Sequence, residues 1–211
     1  QVRRSNTNDF LRTLAADSLS YAVRSSEAVP KNFGDWMPAT SPSLATSQSW
    51  ETIDVTIAQD GGRTAIGRGA VPGKAVQVEI VNAAGANLAL RVGNIRTRGN
   101  PLAQENYTRP RFPDGHEAAL ASGKTLTYST AWGGPLFLNY GNAKPGSVVT
   151  LRVRGSVKYA HFDFTRNPGS EEIDEAMQAL QRGDFGWQTS KMVGGEVQQT
   201  IGFAKSVIGN Q

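Results

Sequence analysis

The stretch WETIDVTIAQ, residues 50–59, decides how the chain is read. Ile53, Val55 and Ile57 stand two apart, with Asp54 and Thr56 between them. Side chains alternate across a strand, so this spacing puts the three apolar residues on one face. The same pattern recurs downstream. RTAIGRGAVPG (63–73) reads as a short strand and a tight turn at Pro72-Gly73. KAVQVEIV (74–81) aligns Val76, Val78 and Ile80, and NLALRVGNIRT (87–97) aligns Leu88, Leu90 and Val92 before Gly93 interrupts. KTLTYST (124–130), PLFLNYG (135–141), VVTLRVRG (148–155) and VKYAHFDF (157–164) continue the series. In PLFLNY, Leu136 and Leu138 share the inward parity, and Phe137 and Asn139 share the other. Short strands rich in Val, Leu, Thr and Tyr, separated by Gly, Pro, Asn and Asp, predict a mainly β chain. The expected architecture is an antiparallel β-sandwich of jelly-roll or immunoglobulin-like type. One long connection, residues 98–123, interrupts it.

The flanks read differently. NTNDFLRTLAADSLSYAVRSS (6–26) has apolar residues near a 3.6 period and Asn6, Thr7 and Asn8 as N-cap candidates, which predicts a helix. A Pro- and Ser-rich stretch follows it to Trp50. PGSEEIDEAMQALQRG (168–183) predicts a second helix. Ser170 is its N-cap, Glu171 and Glu172 suit the positive end of its dipole, and Gly183 ends it. EVQQTIGFAKSV (196–207) fits either a strand or a helix interrupted by Gly202. The expected division is residues 1–49 as helix and linker, 50–165 as the sandwich, and 166–211 as a helix and connecting segment.

Composition narrows the chemistry. The 211 residues suit one domain with an added helical portion. There is no cysteine, so thiolate zinc sites, disulfides and cysteine nucleophiles are excluded. The formal charge of +4 comes from scattered Lys and Arg, so no nucleic-acid partner is expected. No segment approaches the roughly 20 apolar residues of a membrane helix, so no membrane partner is expected. The opening QVRRSNTND holds no apolar signal-peptide core.

The candidate reactive motifs are few. DGHEAALASG (114–123) contains a His-Glu pair, but position 120 is Leu where a zinc-binding His-Glu-x-x-His helix needs its second histidine. The other histidine, His161, lies in a strand-like segment, so the pair reads as a polar loop and no metal ligand is assigned. GRGAVPGK ends in Lys74-Ala75 instead of the Lys-Ser/Thr of a phosphate loop, and no Gly-x-Ser-x-Gly elbow is present. No catalytic residue is assigned either. Trp132 precedes Gly133-Gly134 and Tyr140 precedes Gly141-Asn142, an arrangement that lets a ring stack on a sugar or a peptide, or cap the core.

The order of these motifs resembles one family. GRTAIGRGAVPGKAVQVEIV, LALRVGNI, the basic RPRFP (109–113) and ASGKTLTYSTAWGGPLFLNYGN are similar to the non-catalytic β-sandwich preceding the protease domain of enhancin-like, mucin-degrading zinc metallopeptidases. The matching positions are Arg63-Thr64, Pro72-Gly73 and Trp132-Gly133-Gly134, and the resemblance covers about residues 50–164. It implies an accessory, substrate-positioning or structural domain of a secreted bacterial zinc metalloendopeptidase acting on O-glycosylated host proteins. The cofactor, zinc, is then expected in a catalytic domain outside this chain, and no cofactor within it. The implied partners are that catalytic domain and O-glycosylated glycoproteins. No His-Glu-x-x-His helix occurs here, so no catalytic role is carried over. Arg109, Arg111, His116, Trp132 and Tyr140 are the candidate substrate or interdomain contacts. A free-standing carbohydrate-binding or adhesion module is the alternative, and an autonomous hydrolase is a third reading.

Overall fold

The structure is a computed structural model that describes residues 2–3, 5–23, 40–41, 43–93, 106–107, 116–130 and 132–208. In chain order the elements begin β1 (Val2–Arg3), α1 (Thr7–Val23), β2 (Glu51–Thr56), β3 (Gly62–Ala70), β4 (Val76–Asn82) and β5 (Asn87–Val92). Then come β6 (Asn106–Tyr107), β7 (Ala118–Ala119), β8 (Leu126–Tyr128), β9 (Gly134–Gly141) and β10 (Val148–Arg154). The chain continues with β11 (Val157–Lys158), β12 (Ala160–Asp163), α2 (Ser170–Arg182), β13 (Trp187–Met192), β14 (Gly195–Thr200) and α3 (Ile201–Ile208).

Two sheets form the expected sandwich. One has the strand order β2-β10-β4-β8 and the other β11-β3-β9-β5-β7, and every pairing in both is antiparallel. The period-two residues meet between them. Val55 and Ile57 face inward with Val76, Val78, Val149, Leu151 and Val153 from the first sheet, against Leu88, Leu90, Val92, Leu136 and Leu138 from the second. Burying such a dry, continuous set is the main force holding the fold. The turn after β3 closes with Lys74 N–H donating to the Val71 carbonyl at 3.1 Å, and Gly73 takes φ 69°, which a side chain would resist.

Residues beyond Val157 do more than connect. VKYAHFDF changes sheets within its length: β11 pairs with β3 in the sandwich, while β12 pairs with β13 in a separate sheet ordered β12-β13-β14. β12 and β13 are parallel, so α2 serves as the crossover between them. This third sheet lies against β3 and β9, and α2 and α3 cover part of its other side through Ala160, Ala179, Leu180, Ile201 and Ala204. A second apolar cluster of Val71, Trp132, Val157, Tyr159, Phe185 and Trp187 joins the sandwich to this layer. Phe185 sits where any side chain at Gly69 would collide with its ring, so the glycine permits the close approach.

The helices follow the sequence reading with two adjustments. Asn6 caps α1, its Oδ1 accepting from Asn8 N–H at 3.0 Å and Asp9 N–H at 3.1 Å. The N-cap of α2 is Gly169 rather than Ser170, and it makes no side-chain cap hydrogen bond. Gly183 ends α2 in the left-handed conformation, its N–H returning to the Ala179 carbonyl. The segment 196–207 is a strand and then a helix: β14 gives way to α3 at Ile201.

Candidate functional site

Alternation in the third sheet creates a polar inner face. His161, Thr189 and Gln198 stand directly across one register row, and Asp163, Lys191 and Glu196 across another. These side chains share the sheet face turned toward the sandwich. Ala160 and Phe162, on the opposite face, pack with the helices.

Glu196 fastens the layer. Its carboxylate accepts from the Thr64 hydroxyl and from the Ala65 N–H, the latter at 2.9 Å, at a point where β3 leaves its regular register with β9. Lys191 is 3% exposed, and its Nζ donates to the Thr56 carbonyl at 2.9 Å. Burial pushes its pKa down, while Asp163 and Glu196 act in the opposite sense.

A cleft of about 510 Å³ opens between this face, β2, β3 and the start of α2. The Thr189 hydroxyl is shared by Tyr159 Oη at 2.8 Å and His161 Nδ1 at 2.6 Å. That fixes the imidazole with its Nε2 edge beside Gly67, where a Cβ would lie 2.9 Å from His161 Cδ2. Gly67 takes φ 69° within a bulge, since Ala65 faces Phe137 but Gly69 already faces Pro135. Burial lowers the His161 pKa to about 4, Lys191, Arg166 and Arg68 add to that, and Asp163 opposes it. Burial alone would raise the Asp163 pKa, but hydrogen bonds from Thr165 and the nearby Lys191 charge hold it below its usual value. Burial raises the Tyr159 pKa, so its phenol stays protonated.

Three cations of this cleft pair with carboxylates. Arg68 meets Glu51 at 2.7 Å, Lys158 meets Glu175 at 2.9 Å, and Arg166 bridges Glu172 and Asp163, the latter at 3.6 Å. Asp54 accepts from Thr150 Oγ1 at 2.7 Å. A second cleft of about 490 Å³ lies between the β13–β14 hairpin and β3 and β9, lined in part by Arg63, Tyr140 and Gln198.

Among the described candidates, His116 and Trp132 line neither of these two clefts and Tyr140 lines the second. Arg109 and Arg111 lie outside the described residues. His116 precedes β7, which pairs with β5, so the His-Glu pair enters a strand and not a helix. The ring of His116 stacks on Tyr128 at 4.8 Å, and its carbonyl accepts from the Tyr128 hydroxyl at 2.8 Å. Glu117 accepts from Asn139 Nδ2 at 2.6 Å. Trp132 is 5% exposed, in the cluster between sandwich and third sheet, so its ring is not offered to solvent. Tyr140 is 7% exposed and belongs to the sandwich core, with its edge at the second cleft. The polar face of the third sheet escaped the sequence reading because β12 and its partner β13 are separated in sequence by α2, as the Asp163–Lys191 and His161–Thr189 pairings show. The available signal was the alternation His161–Asp163, with a polar residue at each position of one parity.

Zinc does not fit these groups. No three His, Asp or Glu side chains among the described residues are gathered as a ligand set. His161 Nδ1 is held by Thr189, and both Asp163 and Glu196 are engaged by neighbouring hydroxyl and N–H groups. No described helix is long and apolar enough to cross a membrane.

No family model matches the chain. Over 187 residues it is 32% identical to the immunomodulating metalloprotease of Pseudomonas aeruginosa, a match spanning 87% of this chain and 20% of that protein. The solved IMPa metallopeptidase in complex with T-antigen superposes with a TM-score of 0.72 at 29% identity, covering 83% of this chain and 20% of that one. IMPa from Pseudomonas aeruginosa in complex with an O-glycopeptide gives 0.70 at 30% identity, over 81% and 20%. The ZmpB metallopeptidase of Clostridium perfringens, at 12% identity and a TM-score of 0.55 over 76% of this chain and 36% of that one, shares the fold alone. The chain thus spans about one fifth of the length of the first two proteins. By sequence and by fold it is homologous to a part of the immunomodulating metalloprotease.

Proposed function

We propose that this chain is an accessory part of a secreted bacterial zinc metalloendopeptidase that acts on O-glycosylated, mucin-type proteins. It positions substrate or supports the catalytic domain, and it performs no catalysis itself. The observation that carries this reading is the match to a metallopeptidase along 87% of the chain, across both the sandwich and the C-terminal layer. Solved relatives of that name hold T-antigen and an O-glycopeptide, which supports glycosylated protein as the substrate class. The structure contributes a physical reason for the accessory role. Arg68 pairs with Glu51, Lys158 with Glu175 and Arg166 with Glu172 on a multilayered scaffold, as suits a surface that orients a partner. In this reading the zinc and its ligands belong to the catalytic domain of the same polypeptide, and the long connection with Arg109 and Arg111 belongs to the contact surface.

The test is a deletion in the longer polypeptide that this reading implies. Removing the segment equivalent to residues 1–208 is expected to lower kcat/KM on an O-glycosylated peptide by about tenfold or more, the equivalent of roughly 1.4 kcal/mol of lost transition-state stabilisation. A fall in kcat/KM with the remaining protein's Tm unchanged means positioning. A fall in both means structural support. If the truncated protein keeps full kcat/KM and full Tm, the accessory reading is wrong.

A further inference from the structure

The cleft beside β12 has a chemical character that narrows what it can hold. Four cations line it, Arg68, Lys158, Arg166 and Lys191, and four carboxylates, Asp54, Asp163, Glu172 and Glu175, so four positive charges against four negative leave no net charge. The side chains are also pre-set. Lys158 and Glu175 hold each other at 2.9 Å, and Arg166 is held between Glu172 and Asp163. A free anion would compete with a carboxylate already held by Lys158 or Arg166, and a free cation would compete with those cations, each at the expense of a pair already made. A hydroxyl does neither. It donates its proton to a carboxylate oxygen while its lone pairs accept from a neighbouring ammonium or guanidinium. Several hydroxyls on one rigid ring meet several such pairs at once, at little entropic cost.

His161 adds a further contact. Its Nδ1 is anchored through Thr189 to Tyr159, and its Nε2 makes no hydrogen bond among the described residues. Gly67 lets the imidazole lie against its backbone, since a Cβ there would come within 2.9 Å of Cδ2 and 3.6 Å of Nε2; His161 lines the cleft, and in either tautomer Nε2 offers one donor or one acceptor. The volume of about 510 Å³ lies within the range of small-ligand pockets, roughly 300–1,000 Å³.

We propose that this cleft binds a neutral, hydroxyl-rich ring system, one or two sugar residues, through His161 Nε2, Arg166 and the Lys158–Glu175 pair. The proposal rests on the preceding reading for the source of the sugar, an O-linked glycan of the substrate.

The experiment is an NMR titration of the 15N-labelled chain, residues 1–211, with free T-antigen glycan and lactose as neutral sugars, and sialic acid and inorganic phosphate as anions. The expected result is saturable shifts of the Gly67, Arg68 and Asp163 amides and of the first turn of α2, with a Kd on the order of millimolar for a neutral sugar. Glu175→Ala and Arg166→Ala, at exposed positions on the rim, are expected to keep the native spectrum and weaken binding about tenfold. Neutral sugars that leave these amides unmoved overturn the proposal, as do anions that shift them more strongly than neutral sugars. Sugar-dependent shifts confined to another surface also overturn this site but leave the accessory reading intact. Shifts at the cleft, alongside a truncated polypeptide that keeps its full activity, would uphold the site and defeat the accessory reading.

Discussion

Trp132→Ala is expected to destabilise the chain by about 3–5 kcal/mol, the usual cost of emptying a buried aromatic site. The indole is 5% exposed and packs with Val71, Val157, Tyr159, Phe185 and Trp187, the cluster that joins the sandwich to the third sheet. Its neighbourhood leaves no easy way to collapse into the void. A Cβ at the adjacent Gly133 would lie 2.6 Å from the Ala70 carbonyl oxygen, so the backbone already runs close to the β3–β4 turn. The loss should fall first on the C-terminal layer. Urea unfolding followed by circular dichroism, alongside hydrogen exchange of β13, measures it. A ring that served mainly to stack on a ligand would instead leave stability within about 0.5 kcal/mol of the parent, as surface changes do. That outcome would remove Trp132 from the interlayer core.

Acid is expected to weaken the same layer through His161. Its folded pKa is about 4, against an unfolded reference of 6.5. Between these values the unfolded chain binds the proton and the folded chain does not, so stability falls as pH drops from about 6.5 toward 4. Above that window the histidine is neutral in both states and contributes no slope. Below it both states are protonated and the loss is complete. At 1.36 kcal/mol for each pH unit, the loss amounts to about 3 kcal/mol. The groups facing the imidazole act together: Lys191, Arg166 and Arg68 disfavour its charge, and Asp163 favours it. Asp163 has a depressed pKa of its own, so its contribution disappears at still lower pH, as the carboxylate is protonated. Denaturation midpoints at pH 7 and pH 4.5, for the parent and for His161→Gln, check the argument. The variant should lose most of the slope across this window, and an equal slope in both proteins would assign the acid sensitivity elsewhere.

Much of the sandwich was legible because strands such as β2 and β5 bury one face more than the other. Ile53, Val55 and Ile57, or Leu88, Leu90 and Val92, show the alternation plainly. The third sheet was not legible, for two physical reasons. β13 is the central strand of its sheet and is covered on both sides, so Trp187, Gln188 and Thr189 are all buried and no period emerges. VKYAHFDF alternates without interruption, yet its first residues hydrogen-bond to β3 and its later ones to β13. A side-chain pattern reports faces and is silent about which strand lies alongside. The same blindness hid the cleft. Lys191 was an isolated basic residue and His161 an isolated histidine until parallel pairing across α2 placed Lys191 beside Asp163 and Thr189 beside His161. Phe137 shows the converse case. Its outward parity was read correctly, but it is 4% exposed, because Arg63 lies over its ring at 4.7 Å on a face turned toward the third layer.

Of the two readings open for Trp132, the structure gives the ring a place in the core. Glycine beside Trp132 signals close approach, but the approaching group is the chain's own β3–β4 turn. His116 and Glu117 fall short of a zinc motif in sequence, and in space they serve Tyr128 and Asn139.

The most direct measurement is a peptidase assay on the purified chain alone. An O-glycosylated peptide is incubated with it in the presence of added zinc, and the products are read by mass spectrometry. The account predicts that the peptide is recovered intact. Cleavage that a chelator abolishes would show that this chain carries its own catalytic metal, and would contradict the assignment of the chemistry to another domain.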